Sequence, residues 1–524
     1  MLNSRIPAMR NQALIGLSLL VAGLYLAWQL GGAIVGGNSQ FLIFAALGFV
    51  ACAVIVAILR SWRSGFYFFL IWLMFEDLVR KYMGNNLALF FGKDILLAFV
   101  YIAFYVKVRR GQEKTFRPPF MFFLSLFMWL AVLQVFNPNS PSIWYGLLGL
   151  KVYFYYVPLM FIGYALIHND DDLRKFLARN ALLAGVVSVL GIIQAIVGNS
   201  FLNPKILAPE LADLGDLTKS TPISGQVFSL PPSVFVSSGR YADYLIVAFI
   251  LAVGAAAYLL LYTRQNRKLI LSVVGLIAVA TLLSGSRTAL VGVVASAIVL
   301  SVAYVWAAPW RQRQGDRVVK AIRRSAIAAT LALVALVFLF PKQAAPRIAF
   351  FSETLSPNSA TYEGSARGWS YPIGELEKVF EETYWVWGKG TGTASLGGQY
   401  VARLTGVRAF TAPEEGYAQM ITEMGILAPS LWIVWVTSLI YSSWKVARRL
   451  RGTRFFPIAM AAVWYAFFLL GPQTYITIAH YQNYICNAYL WLLIGVLFRL
   501  PSLLAGPSLP PTAAPALTTS SPHE

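Results

Sequence analysis

A pair of adjacent acids, Glu414-Glu415, stands in Pro413-Glu414-Glu415-Gly416-Tyr417, ahead of an apolar run that includes Glu423 and Gly425. Two neighbouring carboxylates strain each other if both are buried. One is then held protonated or becomes a strong base. The same acids also suit the start of a helix, where negative charge is favoured. Arginines at the ends of apolar runs are the second group with chemical potential. Arg287 closes Ser284-Gly285-Ser286-Arg287, a short polar break between two such runs. Arg240 ends Val236-Ser-Ser-Gly-Arg240, and Asp243 follows three residues on, a spacing that allows an ion pair on one helix face. Arg367 lies in Gly364-Ser-Ala-Arg367-Gly-Trp369. Each has an ordinary use too: Arg287 snorkelling to an interface, Arg240 pairing with Asp243, Arg367 facing solvent.

Other charged positions read as structural. Glu76, Asp77, Arg80 and Lys81 offer opposite charges at helical spacing. Lys151, followed by Tyr153, Tyr155 and Tyr156, looks like an interfacial anchor with an aromatic belt. Gly388-Lys-Gly390-Thr-Gly392 imitates a phosphate loop without the strand before it or the helix after it. The histidines, His168, His480 and His523, lie far apart, with His480 on the opposite side of the expected topology from the other two, so they do not form a metal cluster together. Cys52 and Cys486 both sit in apolar runs and imply no disulfide framework. No metal and no cofactor is expected.

The elements that position these residues are membrane spans. Hydrophobic residues make up 58% of 524 positions and charged residues 12%, more apolar surface than a soluble chain of this size hides. Runs long enough to cross a bilayer begin near Ala13, Phe41, Phe66, Asp94, Pro119, Lys151, Phe176, Tyr241, Leu269, Thr288, Ser325, Ile426, Phe455 and Asn483. The first is read as a span rather than a cleavable leader. The fold class is therefore an all-α polytopic membrane protein of about fourteen transmembrane helices (range 12–14) within residues 1–500.

Charge sets the orientation. With the N-terminus inside, most of the 42 Lys and Arg fall in short loops on one side, and both termini are cytoplasmic. The net charge of +20 is thus a matter of topology and excludes a nucleic-acid role. On the outer side, residues 199–240 and, above all, residues 341–425 form loops long enough to fold, the latter with an amphipathic helix from Tyr371 to Glu382. Residues 501–524, rich in Pro and Ala, read as a disordered cytoplasmic tail.

In this order the pieces resemble the O-antigen ligase and O-antigen polymerase family of bacterial envelope enzymes. Ser286-Arg287 is similar to the family's Ser-Arg turn. Arg367 with Trp369 matches its loop Arg followed by Trp, and Gly388 to Gly392 its Gly-x-Gly stretch. Glu423-Met-Gly425 matches its Glu-x-Gly, and nine residues back, where the ligases have histidine, stands Glu414. Gly149-Leu-Lys151 is similar to a Gly-Leu-Arg segment, and Arg240 matches more loosely.

The resemblance implies a GT-C-like architecture, with residues 199–240 and 341–425 periplasmic, in the bacterial inner membrane. It implies metal-independent, inverting transfer of a glycan from a polyprenyl-diphosphate-linked oligosaccharide donor to a glycan or lipid hydroxyl acceptor. The products would be O-antigen or exopolysaccharide, and a partner that regulates chain length is compatible with this. Arg240, Arg287 and Arg367, with Lys151, would clamp the diphosphate, because guanidinium matches phosphate oxygens. Glu414 or Glu415 would take the acceptor proton. With glutamate in place of histidine, polymerisation is favoured over ligation. The competing reading is a lipid-linked glycan flippase or transporter, which places charge near mid-membrane.

Overall fold

The computed structural model describes residues 52–83, 87–203, 217–259, 267–307, 340–407 and 412–504, with scattered positions from 319 to 339. The expected first span, most of the second and most of the one beginning near Ser325 lie outside the described residues, as does the tail after Leu504.

The chain is an all-α multi-pass membrane protein. Among the described residues, seven helical spans are long and apolar enough to cross a bilayer. The helices are α1 (Trp62–Met83), α2 (Leu87–Arg109), α3 (Met121–Gln134), α4 (Ile143–Phe154), α5 (Leu159–Leu166), α6 (Asp170–Val197), α7 (Ser238–Tyr258), α8 (Arg267–Leu283) and α9 (Arg287–Ala307). Then come α10 (Pro341–Leu355), α11 (Tyr371–Glu381), α12 (Gly398–Thr405), α13 (Gly416–Met424), α14 (Leu427–Arg449), α15 (Phe456–Phe468) and α16 (Tyr484–Leu504). One small hairpin, β1 (Thr218–Ser220) with β2 (Val227–Ser229), pairs antiparallel between α6 and α7.

The chain divides into two compact units. One contains residues up to Leu70 together with Gly92–Arg109, and the other contains Ile71–Phe91 and everything from Arg110 on. In the first, Trp62 meets Phe104 edge-on at 5.1 Å, and Phe66, Leu97 and Val100 are buried. The second carries all the candidate chemistry.

In the second unit α7 is central, with every residue from Tyr241 to Ala252 buried. Its 21 residues rise about 30 Å, a bilayer's hydrocarbon thickness. One end is tied to the basic loops: Tyr258 donates to Asp170 at 2.6 Å, and Asp170 pairs with Arg174 at 2.8 Å and Arg454 at 3.7 Å. The other end carries Arg240. Pro158, which cannot donate a backbone hydrogen bond, separates α4 from α5. Helices α5 and α16 approach closely because both contact points are glycine. A Cβ on Gly163 would run into the Leu492 carbonyl, and one on Gly495 into that of Met160. An aromatic core of Phe127, Trp432, Trp435, Tyr481 and Trp491 fixes α3 and α14 against α16.

Candidate functional site

The Ser-Gly-Ser-Arg turn is shaped by its small residues. Gly285 has φ +67, and Phe228 and Leu230 press so closely that a side chain would have no room. Ser286 Oγ accepts from Ala289 N and starts α9, whose first residue is Arg287. Arg287 Nη1 lies 2.8 Å from Glu363 Oε2. Glu363 Oε2 also lies 3.3 Å from Arg367 Nε, and Arg367 Nη1 lies 3.6 Å from Glu414 Oε2. Arg287, Arg367 and Glu414 are therefore linked through an acid that the sequence did not single out. Hydrogen bonding and charge from Arg287, then Arg367, hold the Glu363 carboxyl below its usual range. Exposure rises along this chain, from 18% of the side chain at Arg287 to 64% at Glu414.

An aromatic floor underlies Arg287. Its guanidinium sits 5.1 Å from the Phe350 ring centroid, and Lys219 Nζ sits 4.8 Å from the same ring. Glu353 fixes Lys219 there by accepting from Ile223 N and Ser224 N, which pins the turn of the hairpin to α10. Arg347 lies over Phe228 and donates to Ser229 O at 2.6 Å, and burial lowers its pKa to about 10. Lys219 and Arg347 escaped the sequence reading because neither adjoins a motif. Their place depends on a fold between segments more than a hundred residues apart.

Arg240 belongs to a different group. The expected pair with Asp243 does not form. Arg240 Nη1 instead donates to both Asp77 oxygens, at 3.1 and 2.8 Å. Asp77 also accepts from Arg80 at 2.9 Å, and Arg80 reaches Tyr400 OH at 2.8 Å. The Asp77–Arg80 pair is thus intrahelical, as its spacing suggests, but the same carboxylate also crosses to α7. Lys151 adjoins this group rather than Arg287, with Nζ 4.7 Å from the Phe90 ring that also faces Arg80 at 5.2 Å. Arg240 stacks on Tyr484 at 5.2 Å.

The adjacent acids diverge. Glu414 is exposed. Glu415 is 1% exposed and caps α13, its Oε2 accepting from Ala418 N while Oε1 finds no partner among the described residues. Burial pushes its pKa up to about 7. The glycine-rich stretch is no phosphate cradle, since its amides are already spent. Lys389 N donates to Thr422 O, Gly390 N to Glu423 O and Thr391 N to Gln134 O. Gly392, at φ +81, lies against the Tyr145 carbonyl. Glu423, fully buried, accepts from Ala394 N, Ser395 Oγ and Tyr153 OH, and so clamps this loop to α4 and α13.

Asp243, freed from Arg240, accepts from Asn483 Nδ2 at 2.8 Å and lies 2.7 Å from His480 Nδ1. His480 precedes α16 in a short turn, Ala479–Gln482. A lone histidine near a helix end carries no sequence signal, and only the fold reveals its partner. Among the described residues no group of three or more His, Cys, Asp and Glu side chains is placed to hold a metal ion. Comparison of the chain with family models, curated proteins and solved structures finds no match.

Proposed function

We propose that the chain is a glycosyltransferase of the outer face of the bacterial inner membrane. It polymerises, or else ligates, glycan repeat units carried on a polyprenyl diphosphate, with a glycan or lipid hydroxyl as acceptor. Fourteen spans in a GT-C-like arrangement with both termini cytoplasmic complete this reading. One observation carries it: Arg287 and Lys219 share the Phe350 ring, and the counter-charge is the partly exposed Glu363. Such a group suits an incoming polyanion, which displaces the carboxylate and takes the donors.

In the reaction, the acceptor oxygen attacks the anomeric carbon with inversion as its bond to the diphosphate breaks. The electron pair leaves on the diphosphate, and the cationic group bears that charge. Arg287 and Lys219 hold the diphosphate directly. Arg367 extends the grip from the loop, and Arg240 with Lys151 keeps the neighbouring helix ends positive. The acceptor proton needs a base, which the sequence reading assigns to Glu414 or Glu415.

Purified protein incubated with polyprenyl-diphosphate oligosaccharides extracted from its source cells should build a ladder on a gel, in the presence of chelator. Arg287→Ala should slow it by roughly 10²–10³, the cost of losing one preorganised donor. Well-folded wild-type protein that builds no ladder and caps no acceptor refutes the reading.

A further inference from the structure

We propose that His480, oriented by Asp243, is the base that takes the proton from the acceptor hydroxyl, and that neither Glu414 nor Glu415 does so. The inference rests on the glycosyl-transfer reading above and names the residue for its proton-transfer step.

The hydrogen-bond network fixes the state of the imidazole. Asn483 Oδ1 accepts from Ile485 N at 3.1 Å, so its amide nitrogen is the end that faces Asp243. Asp243 then accepts on Oδ2 from Asn483. Its Oδ1, 2.7 Å from the ring, is left to accept the Nδ1 proton. With the proton on Nδ1, the lone pair lies on Nε2. No residue among those described bonds Nε2. The His480 side chain is 18% exposed and that of Asp243 9%, so the carboxylate is sheltered while the ring reaches the surface. Burial lowers the imidazole pKa, while the charge of Asp243 and its hydrogen bond raise it further, and the balance leaves it above 6.5.

Placement is the second argument. The segment carrying His480 touches both the Arg240 group and the start of α13, two residues after Glu414. On one side, Tyr484 lies under Arg240. On the other, Gly416, next to Glu415, packs so tightly on Thr474 and Ile478 that no side chain fits there. Gln482 anchors the turn to the loop below, accepting from Leu396 N at 2.8 Å and donating to Ser395 Oγ at 3.2 Å. The carboxylate candidates are worse placed. Glu414 is already engaged by Arg367 at 3.6 Å, and Glu415 is sealed at 1% exposure by its capping role.

The step balances. The acceptor O–H bond breaks and its proton moves to Nε2. The oxygen forms the new glycosidic bond, and the diphosphate leaves with the electron pair of the broken one. Asp243 stabilises the imidazolium until it releases the proton to solvent.

The test uses the full-length protein in liposomes with the extracted lipid-linked oligosaccharide. His480→Asn keeps a donor where Nδ1 stands, and His480→Gln provides a second variant that also cannot take the proton. Both should lower kcat by roughly 10²–10⁴. Affinity for inorganic pyrophosphate and the melting temperature should stay at wild-type values. Asp243→Asn should lower kcat while leaving KM for the donor unchanged. Either His480 variant, folded and elongating within about threefold of wild type, overturns the assignment while wild-type activity keeps the glycosyl-transfer reading intact. A wild-type protein without turnover removes both.

Discussion

Two clusters of charge sit on this molecule, and they differ in what surrounds them. Around Asp77 the charges come from helices and the centre is enclosed: Asp77 and Arg80 are 0% exposed, and Arg240, which caps the group from α7, is 27% exposed. Around Glu363 the charges come from a turn and a loop and lie open, from 18% at Arg287 to 59% at Arg367. In the enclosed cluster attraction is strong, but so is the cost of removing water, and a missing partner is not replaced by solvent. In the open cluster each pair is worth only about 0.2–1 kcal/mol, and water or a ligand readily substitutes. The first arrangement holds helices in place. The second leaves its partners open to solvent, as the proposed diphosphate site requires.

The comparison is broken most directly at Asp77. Asp77→Ala removes the carboxylate shared by Arg80 and Arg240 and takes a counter-charge from the buried Arg80. The expected loss is about 3–5 kcal/mol, read as a lower midpoint of unfolding in detergent. A loss no greater than that of Glu363→Ala removes the distinction between the clusters.

Acid titration sharpens the contrast. Glu363 has a pKa below 4.5 in the folded protein, so its contribution is present above that value and fades as pH falls through the folded pKa. Glu415 has the opposite sign. Its folded pKa near 7 lies above 4.5, so the folded state binds the extra proton between those values. The Glu415 contribution to stability is greatest below about pH 4.5 and declines as pH rises to about 7, by on the order of 3 kcal/mol at most. Glu415→Gln should flatten the melting temperature across that window. An unchanged slope means that the Glu415 carboxyl is solvated.

What was legible in the sequence follows the range of the forces involved. Long apolar runs are local, so the span expected from Tyr241 appears as α7, and the helix expected from Tyr371 to Glu382 ends at Glu381. The break at Ser284–Arg287 was legible because it is local, and it appears as the turn that starts α9. The partners of Arg240 and Asp243 were not. Helical spacing joined them to each other, whereas tertiary packing gave Arg240 to Asp77 and Asp243 to His480, across 163 and 237 residues. The packing role of the glycine-rich stretch was hidden for a related reason. Its glycines serve close packing against α4 and α13, and a three-glycine pattern looks the same in either role.

Glu363 offers the finest cut between the clusters. It holds Arg287 at 2.8 Å and Arg367 at 3.3 Å, so an anion entering this group must displace it. Glu363→Gln keeps the shape and removes the competing charge. With a side chain 39% exposed, the folded state should change by less than about 1 kcal/mol. Binding of inorganic pyrophosphate, followed by calorimetry, should tighten about threefold to tenfold, because the guanidiniums no longer exchange one anion for another. The same substitution in an Arg287→Ala background should gain little, since the principal donor is already gone. If Glu363→Gln instead weakens pyrophosphate binding, Glu363 orients Arg287 rather than competing for it, and the open cluster then resembles the enclosed one in holding a fixed geometry.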